Sequence, residues 1–183
     1  MNQIKGLFYF SLLGVINVAL RITPTFSGRR AILTLARCSI ETSATIHRGL
    51  RLFGFGRLKC GSDVTINRGV YIDARAGVSV GNNATIAHEC RIYTLGHDID
   101  DPSFQSKGAA VSIGNHAVLF AGVKVMPGVT VGEGAVIFPY SVVTKSIPAG
   151  EVWGGNPAKK IRERDINIGQ IEYHASYAQW LGN

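Results

Sequence analysis

No run of lysine or arginine longer than two occurs in these 183 residues, and no stretch interleaves basic with aromatic residues. The net charge is nonetheless +7, a balance that suits nucleic acid, anionic lipid or a phosphorylated small molecule. Without a basic cluster, no nucleic-acid partner is expected. Cysteine is scarce too. Cys38, Cys60 and Cys90 make no CxxC pair and no even-numbered framework, which removes a disulfide scaffold and fits a reducing compartment. Residues 6–20 are almost wholly apolar between Lys5 and Arg21, but the run falls short of the ~20 residues a membrane-spanning helix needs. It is followed by no convincing small-x-small cleavage site, so a signal peptide is not expected either. Charged residues make up only 17% of the chain and glycines number 22, as a solenoid of many turns requires. The length suits one domain.

What the chain does have is a period of six. From Ile113 it reads IGNHAV, LFAGVK, VMPGVT, VGEGAV, IFPYSV, VTKSIP. Ile113, Leu119, Val125, Val131, Ile137 and Val143 open the units, and Ala117, Val123, Val129, Ala135, Ser141 and Ile147 stand fifth. Neither the helical period nor strand alternation repeats every six residues. A parallel β-helix does, with three short strands per eighteen-residue coil, the aliphatic residue stacked inward and a modest side chain near each corner. The pattern extends back to Ile40. Ile40, Cys60 and Val80 are spaced by twenty, a coil plus two residues at a corner, and from Ile113 the expected spacing tightens to 113, 131, 149. About five coils result. Cys60 and Cys90 take first and fifth positions and should point inward.

The expected organisation is an N-terminal apolar helical segment over 1–39, an all-β parallel β-helix over 40–163, and a tail over 164–183. The segment 6–20 is read as a helix lying on a membrane, on the open end of the solenoid or in an oligomer contact. Arg21, Arg29, Arg30 and Arg37 are expected on a solvated face, with contact to lipid headgroups or a phosphorylated acceptor as the alternative for Arg29 and Arg30. The repeat halts after Leu95-Gly96-His97 and resumes at Ile113, leaving a polar excursion over 98–112. Long loops of this kind are usually functional. The tail carries Tyr173, Tyr177 and Trp180.

The hexads, the close Val143-Thr144-Lys145-Ser146-Ile147-Pro148 and the following Gly154-Gly155-Asn156-Pro157-Ala158-Lys159-Lys160-Ile161-Arg162 resemble the hexapeptide-repeat acyltransferases. The likeness is to the sugar-acetylating branch, which includes galactoside, maltose and colanic-acid acetyltransferases. It covers about residues 40–163. It implies a left-handed helix, a homotrimer, acetyl-CoA as co-substrate and a sugar or glycan acceptor. The excursion would reach over a neighbouring subunit's cleft.

His97 is the expected catalytic base. It ends a hexad beside Gly96, at the root of the excursion, and the family carries its catalytic histidine in such a Gly-His step. A sugar hydroxyl is a poor nucleophile, and a histidine can take its proton and return it to the departing thiolate. Asp98, Asp100 or a main-chain carbonyl would hold the other ring nitrogen. Asn67, thirty residues earlier, matches the asparagine that holds the acceptor hydroxyl in galactoside-type enzymes; Asp73 and Arg75 are weaker sugar candidates. By resemblance, Ala121 and Gly122 let the pantetheine arm approach, Pro139 and Thr144 flank it, and Lys145, Lys159 and Arg162 meet the nucleotide end. Val118 and Phe120 depart from the family pattern at the cofactor arm, which favours the polysaccharide-modifying members. Cys90 has no special claim as a nucleophile.

The reading is therefore a cytoplasmic O-acetyltransferase of a bacterial surface polysaccharide or its lipid-linked precursor, with possible membrane contact through 6–20. The alternatives are N-acylation of a nucleotide-linked amino sugar, acetylation of a xenobiotic, a non-catalytic subunit, or a metal enzyme like the γ-type carbonic anhydrases. For the last, the family's paired histidines five apart are missing, although His88 and His116 are expected near His97 in the stack. No bound metal is expected.

Overall fold

The computed structural model describes residues 3–165; Tyr173, Tyr177 and Trp180 lie outside them. Two helices, α1 (Gln3–Ile22) and α2 (Phe26–Leu35), precede a left-handed parallel β-helix of triangular section. Its first face stacks strands Ser39–Ile40, Leu58–Cys60, Val78–Val80, Val111–Ile113 and Thr130–Val131. The second stacks Thr45–Ile46, Thr65–Ile66, Thr85–Ile86, Val118–Leu119 and Val136–Ile137. The third stacks Arg51–Phe53, Tyr71–Asp73, Arg91–Ile92, Lys124–Val125 and Val142–Val143.

The registers match the hexad reading. Ile40 faces Cys60 and Cys60 faces Val80, the expected steps of twenty. Val80 faces Ile113 across the excursion, and Ile113 faces Val131. The next step differs, because Val131 bridges Ile147 rather than residue 149. Five full coils are thus followed by a partial sixth. Glu151–Gly155 adds a sixth parallel strand to the second face, and Ala158–Glu163 turns back antiparallel to close it.

Every hexad-opening aliphatic from Ile113 to Val143 is buried, as is every fifth residue from Ala117 to Ile147. The column Ile46, Ile66, Ile86, Leu119, Ile137 is fully solvent-free. Each such side chain contributes about 1.5–3 kcal/mol by leaving water, and an inward column with no partner-specific geometry lets successive coils repeat it. Cys60 and Cys90 point inward as expected.

The first coil would present an open sheet edge, and the two helices cover it. Leu20 and Leu33 seal the core from above, fully buried. Thr25 caps α2, its hydroxyl accepting from the Gly28 N–H at 3.1 Å. Polar side chains then satisfy the edge. The Asn17 amide donates to the Leu52 carbonyl at 2.9 Å and accepts from the Leu52 N–H at 2.8 Å. Arg30 donates to the Ala44 carbonyl at 2.9 Å. Arg29, expected in solvent, is 2% exposed instead and donates to the carbonyls of Ile46 and Thr23. The edge carbonyls supply the partners that make its burial tolerable. The helix α1 is also longer than the apolar run suggested. Its residues 5–22 are long and apolar enough to cross a membrane by length and composition, yet Leu13, Asn17 and Leu20 dock it on the prism.

Candidate active site

After Arg91–Ile92 the chain leaves the prism at the edge between the third and first faces. The excursion, expected as a long polar loop, carries two strands of its own. Leu95–His97 pairs antiparallel with Ser106–Gly108, making a hairpin arm. Two buried polar side chains tie down its root. The Thr94 hydroxyl accepts from the Ala76 N–H at 3.0 Å, and the Asp73 carboxylate accepts from the Leu95 N–H at 3.3 Å. Asp73 also takes three bonds from Arg75, through its backbone N–H, Nε and Nη2. Burial pushes the Asp73 carboxyl up, but the hydrogen bonds and charge of Arg75 and the Leu95 N–H outweigh it and hold the group below its ordinary range. At 1% exposure Asp73 anchors the arm; it does not face a sugar, the role sequence offered it. Gly108 completes the fit, since a Cβ there would lie 2.1 Å from the Thr94 carbonyl oxygen.

The arm holds His97 in solvent. Its Nδ1 lies 2.8 Å from the Phe104 carbonyl oxygen. A carbonyl oxygen only accepts, so Nδ1 carries the proton and the lone pair of the neutral ring sits on Nε2. The Phe104 ring stacks on the imidazole, centroids 4.5 Å apart and planes within 4°. Phe104 adopts a φ of 49°, a left-handed turn that aims its carbonyl back at His97. Of the three orienting groups open in the sequence, the main-chain carbonyl is the one used. Asp98 is engaged elsewhere: its carboxylate pairs with Lys107 at 2.7 Å, and that bond holds it below the ordinary carboxylate range. Nothing in the sequence marked Phe104, because the contact is made by backbone across a turn.

The remaining candidates divide between edges of the prism. Asn67 follows Thr65–Ile66, where the second face turns into the third. Ala121 and Gly122 lie on that same edge in the fourth coil, and Pro139 in the fifth. Lys159 and Arg162 lie on the closing antiparallel strand, where Arg162 pairs with Asp165 at 3.1 Å. Thr144 and Lys145 follow Val142–Val143 onto the edge from which His97 departs. One chain therefore groups Asn67 with Ala121, Gly122 and Pro139, and His97 with Thr144 and Lys145, but does not bring Asn67 to His97.

A groove of about 700 Å³ crosses the third face between these edges, from Gly122 and Tyr140 to Tyr93. Arg51, Arg91 and Lys124 make its floor basic, with Glu89 at one side. Of three exposed aromatics that sequence did not single out as a group, Tyr140 lines the groove, while Phe120 and Phe138 pair with each other, ring centroids 6.4 Å apart. The Tyr140 ring fills the space above Gly122, where a Cβ would lie 2.5 Å from the ring.

Cys90 is buried, which pushes its thiol up to about 12, so almost none is thiolate near neutral pH. The histidines do not converge as expected: His88 is on the second–third edge, His116 on the first–second and His97 on the third–first. Among the described residues no three His, Cys, Asp or Glu side chains group to hold a metal ion.

Residues 110–145 match the family model described as "Bacterial transferase hexapeptide (six repeats)". A protein of Escherichia coli strain K12 named "Putative colanic acid biosynthesis acetyltransferase WcaF" is 35% identical over 135 aligned positions, covering 63% of this chain and 72% of that protein. The chain belongs to the hexapeptide-repeat acetyltransferase family. The fold comparison agrees. A maltose O-acetyltransferase from Clostridium difficile 630 superposes with a TM-score of 0.72 at 25% identity, over 87% of this chain and 86% of that one. A galactoside acetyltransferase in complex with coenzyme A gives 0.72 at 25%, over 86% of this chain and 79% of that one. As a hexapeptide-repeat acetyltransferase the chain is an acyltransferase.

Proposed function

We propose that this acyltransferase moves an acetyl group from acetyl-CoA to a hydroxyl of a sugar, in a bacterial surface polysaccharide or its lipid-linked precursor. The observation that carries the reading is the His97–Phe104 bond of 2.8 Å, which leaves Nε2 unprotonated and exposed. His97 accepts the hydroxyl proton at Nε2 while that oxygen attacks the thioester carbonyl. A backbone amide stabilises the tetrahedral oxyanion. Collapse breaks the carbon–sulfur bond, and the imidazolium returns its proton to the departing thiolate. Cys90, held as a thiol, plays no part.

Supporting acetyl-CoA is the likeness to the galactoside acetyltransferase whose structure contains coenzyme A. Ala121, Gly122, Pro139 and Thr144 are proposed to flank its arm, and Lys145, Lys159 and Arg162 to meet its phosphates. Because His97 and Asn67 occupy different edges of one prism, a site containing both takes one edge from each of two copies. A closed ring of three copies gives every site both edges, so we propose a homotrimer. Three free cysteines support a cytoplasmic location. Relatedness to the colanic-acid protein, together with a basic groove, supports a large or charged glycan as acceptor.

The test is thiol release from acetyl-CoA by the purified protein, offered free sugars, glycans and lipid-linked glycans, wild type beside His97→Ala. Release that needs both acceptor and His97 supports the proposal. Acceptor-dependent release undiminished in His97→Ala overturns it.

A further inference from the structure

The outer side of α1 carries Phe8, Leu12, Val15, Val18 and Ile22, which recur at steps of three and four and so form one stripe. They are 42–71% exposed. The opposite side is fixed to the β-helix by Leu13, Leu20 and the two Asn17–Leu52 hydrogen bonds. The stripe is therefore held outward as a permanent surface.

Beside it opens a cavity of about 560 Å³, well within the size range of ligand sites. Asn17, Val18 and Arg21 of α1 form one wall; Arg48, Arg51 and Arg68, from two successive coils, form the other. Among the described residues none of these four arginines lies within ion-pair distance of a carboxylate. Arg29 and Arg30 lie just above, occupied with the sheet edge. Four guanidinium groups around one cavity make its potential positive, and their forked donors suit phosphate oxygens.

We infer that the arginine-walled cavity beside α1 binds the phosphate of a membrane lipid, with the apolar stripe of α1 lying in the lipid surface. Val18 belongs to both features, lining the cavity and standing in the stripe. A lipid carries an anion and a hydrocarbon chain at that same short spacing. A free phosphate leaves the stripe unexplained. A second copy packed through the same face brings eight arginines together. Helix α1 lies along the lipid surface rather than crossing it, because crossing gives up the Asn17 bonds and the burial of Leu13 and Leu20. The inference does not rest on the acyl-transfer reading. It does place a lipid-borne phosphate on the edge that carries Asn67.

The test is co-sedimentation of the full chain with vesicles of phosphatidylcholine alone and of phosphatidylcholine mixed with phosphatidic acid. The account expects binding to the mixed vesicles and weak binding to neutral ones. Arg48→Gln/Arg68→Gln should weaken that binding by about 25-fold, taking roughly five-fold per arginine at an anionic surface. The charge-matched pair Arg57→Gln/Lys59→Gln, outside the cavity, should change it by less than about three-fold, with melting temperature checked for all variants. Leu12→Ser/Val15→Ser should weaken binding to both vesicle types. Equal losses in the two charge-matched pairs would overturn the cavity as the site. Binding of soluble pyrophosphate to the wild type, abolished by the Arg48/Arg68 pair but without attachment to mixed vesicles, would overturn the lipid source. A fall in oligomer size in Leu12→Ser/Val15→Ser, with vesicle binding unchanged, would assign the stripe to a subunit contact and overturn the inference.

Discussion

Replacing Asp73 with asparagine separates the arm's anchor from the base it carries. The Asp73 carboxylate accepts four hydrogen bonds, three from Arg75 and one from the Leu95 N–H. Asparagine keeps one acceptor oxygen and turns an NH₂ group against donors. Breaking a buried pair costs roughly 3–5 kcal/mol. Here the Arg75 side chain is 36% exposed, so water replaces part of the loss, and about 2 kcal/mol is expected. For a chain of this size that lowers the melting temperature by about 4–8 °C. The effect on turnover is separate. Once Leu95 loses its anchor the arm no longer fixes His97, and a misplacement of about 1 Å costs up to ~100-fold. A fall in kcat of about 10–100-fold with little change in KM for acetyl-CoA is the expected result. The pH dependence has a definite sign. Because the folded carboxyl titrates below its ordinary range, its contribution is complete above the unfolded value near pH 4 and fades as pH falls through the lowered one. Thermal melts of the wild type should show that acid loss, and Asp73→Asn should lack it. A variant that melts lower but keeps full kcat would refute the anchoring argument.

Two further predictions follow from burial. Arg29→Met keeps the bulk but strands the Ile46 and Thr23 carbonyls, so stability should fall by about 2–4 kcal/mol in a urea melt, whereas a solvated arginine would change it by less than about 0.5 kcal/mol. Cys90→Ala removes a thiol that burial keeps protonated. Acetyl transfer should stay within about three-fold of wild type, and no acetylated protein should be trapped by mass spectrometry in either form.

The prism was legible because a six-residue period leaves one architecture that buries every first and fifth residue. Ile46, Ile66 and Ile86 needed no more than their spacing. Where the chain departs from that period, legibility fell. The step from Val131 to Ile147 is two residues short because the last coil gives way to the antiparallel closing strand. Arg29 read as solvated because an arginine's burial depends on carbonyls left over at a sheet edge, which no local pattern announces. The same holds at the site. His97 stood out by its place at a corner, but its partner is a backbone carbonyl whose residue type is incidental. Asp73 and Thr94 hold the arm across a coil, a relation set by stacking and not by sequence neighbourhood. The division of Asn67 and His97 between two edges came only with the topology.

The central claim is that Nε2 of His97 is the base, and the pH profile of acetyl transfer tests it most directly. Wild type should lose kcat/KM as the pH falls, the acid limb expected of any reaction that needs an unprotonated base. His97→Ala should be slower by about two to four orders of magnitude, keep its melting temperature and lack that limb. An unchanged acid limb in His97→Ala, with activity near wild type, would contradict the account and place the base elsewhere.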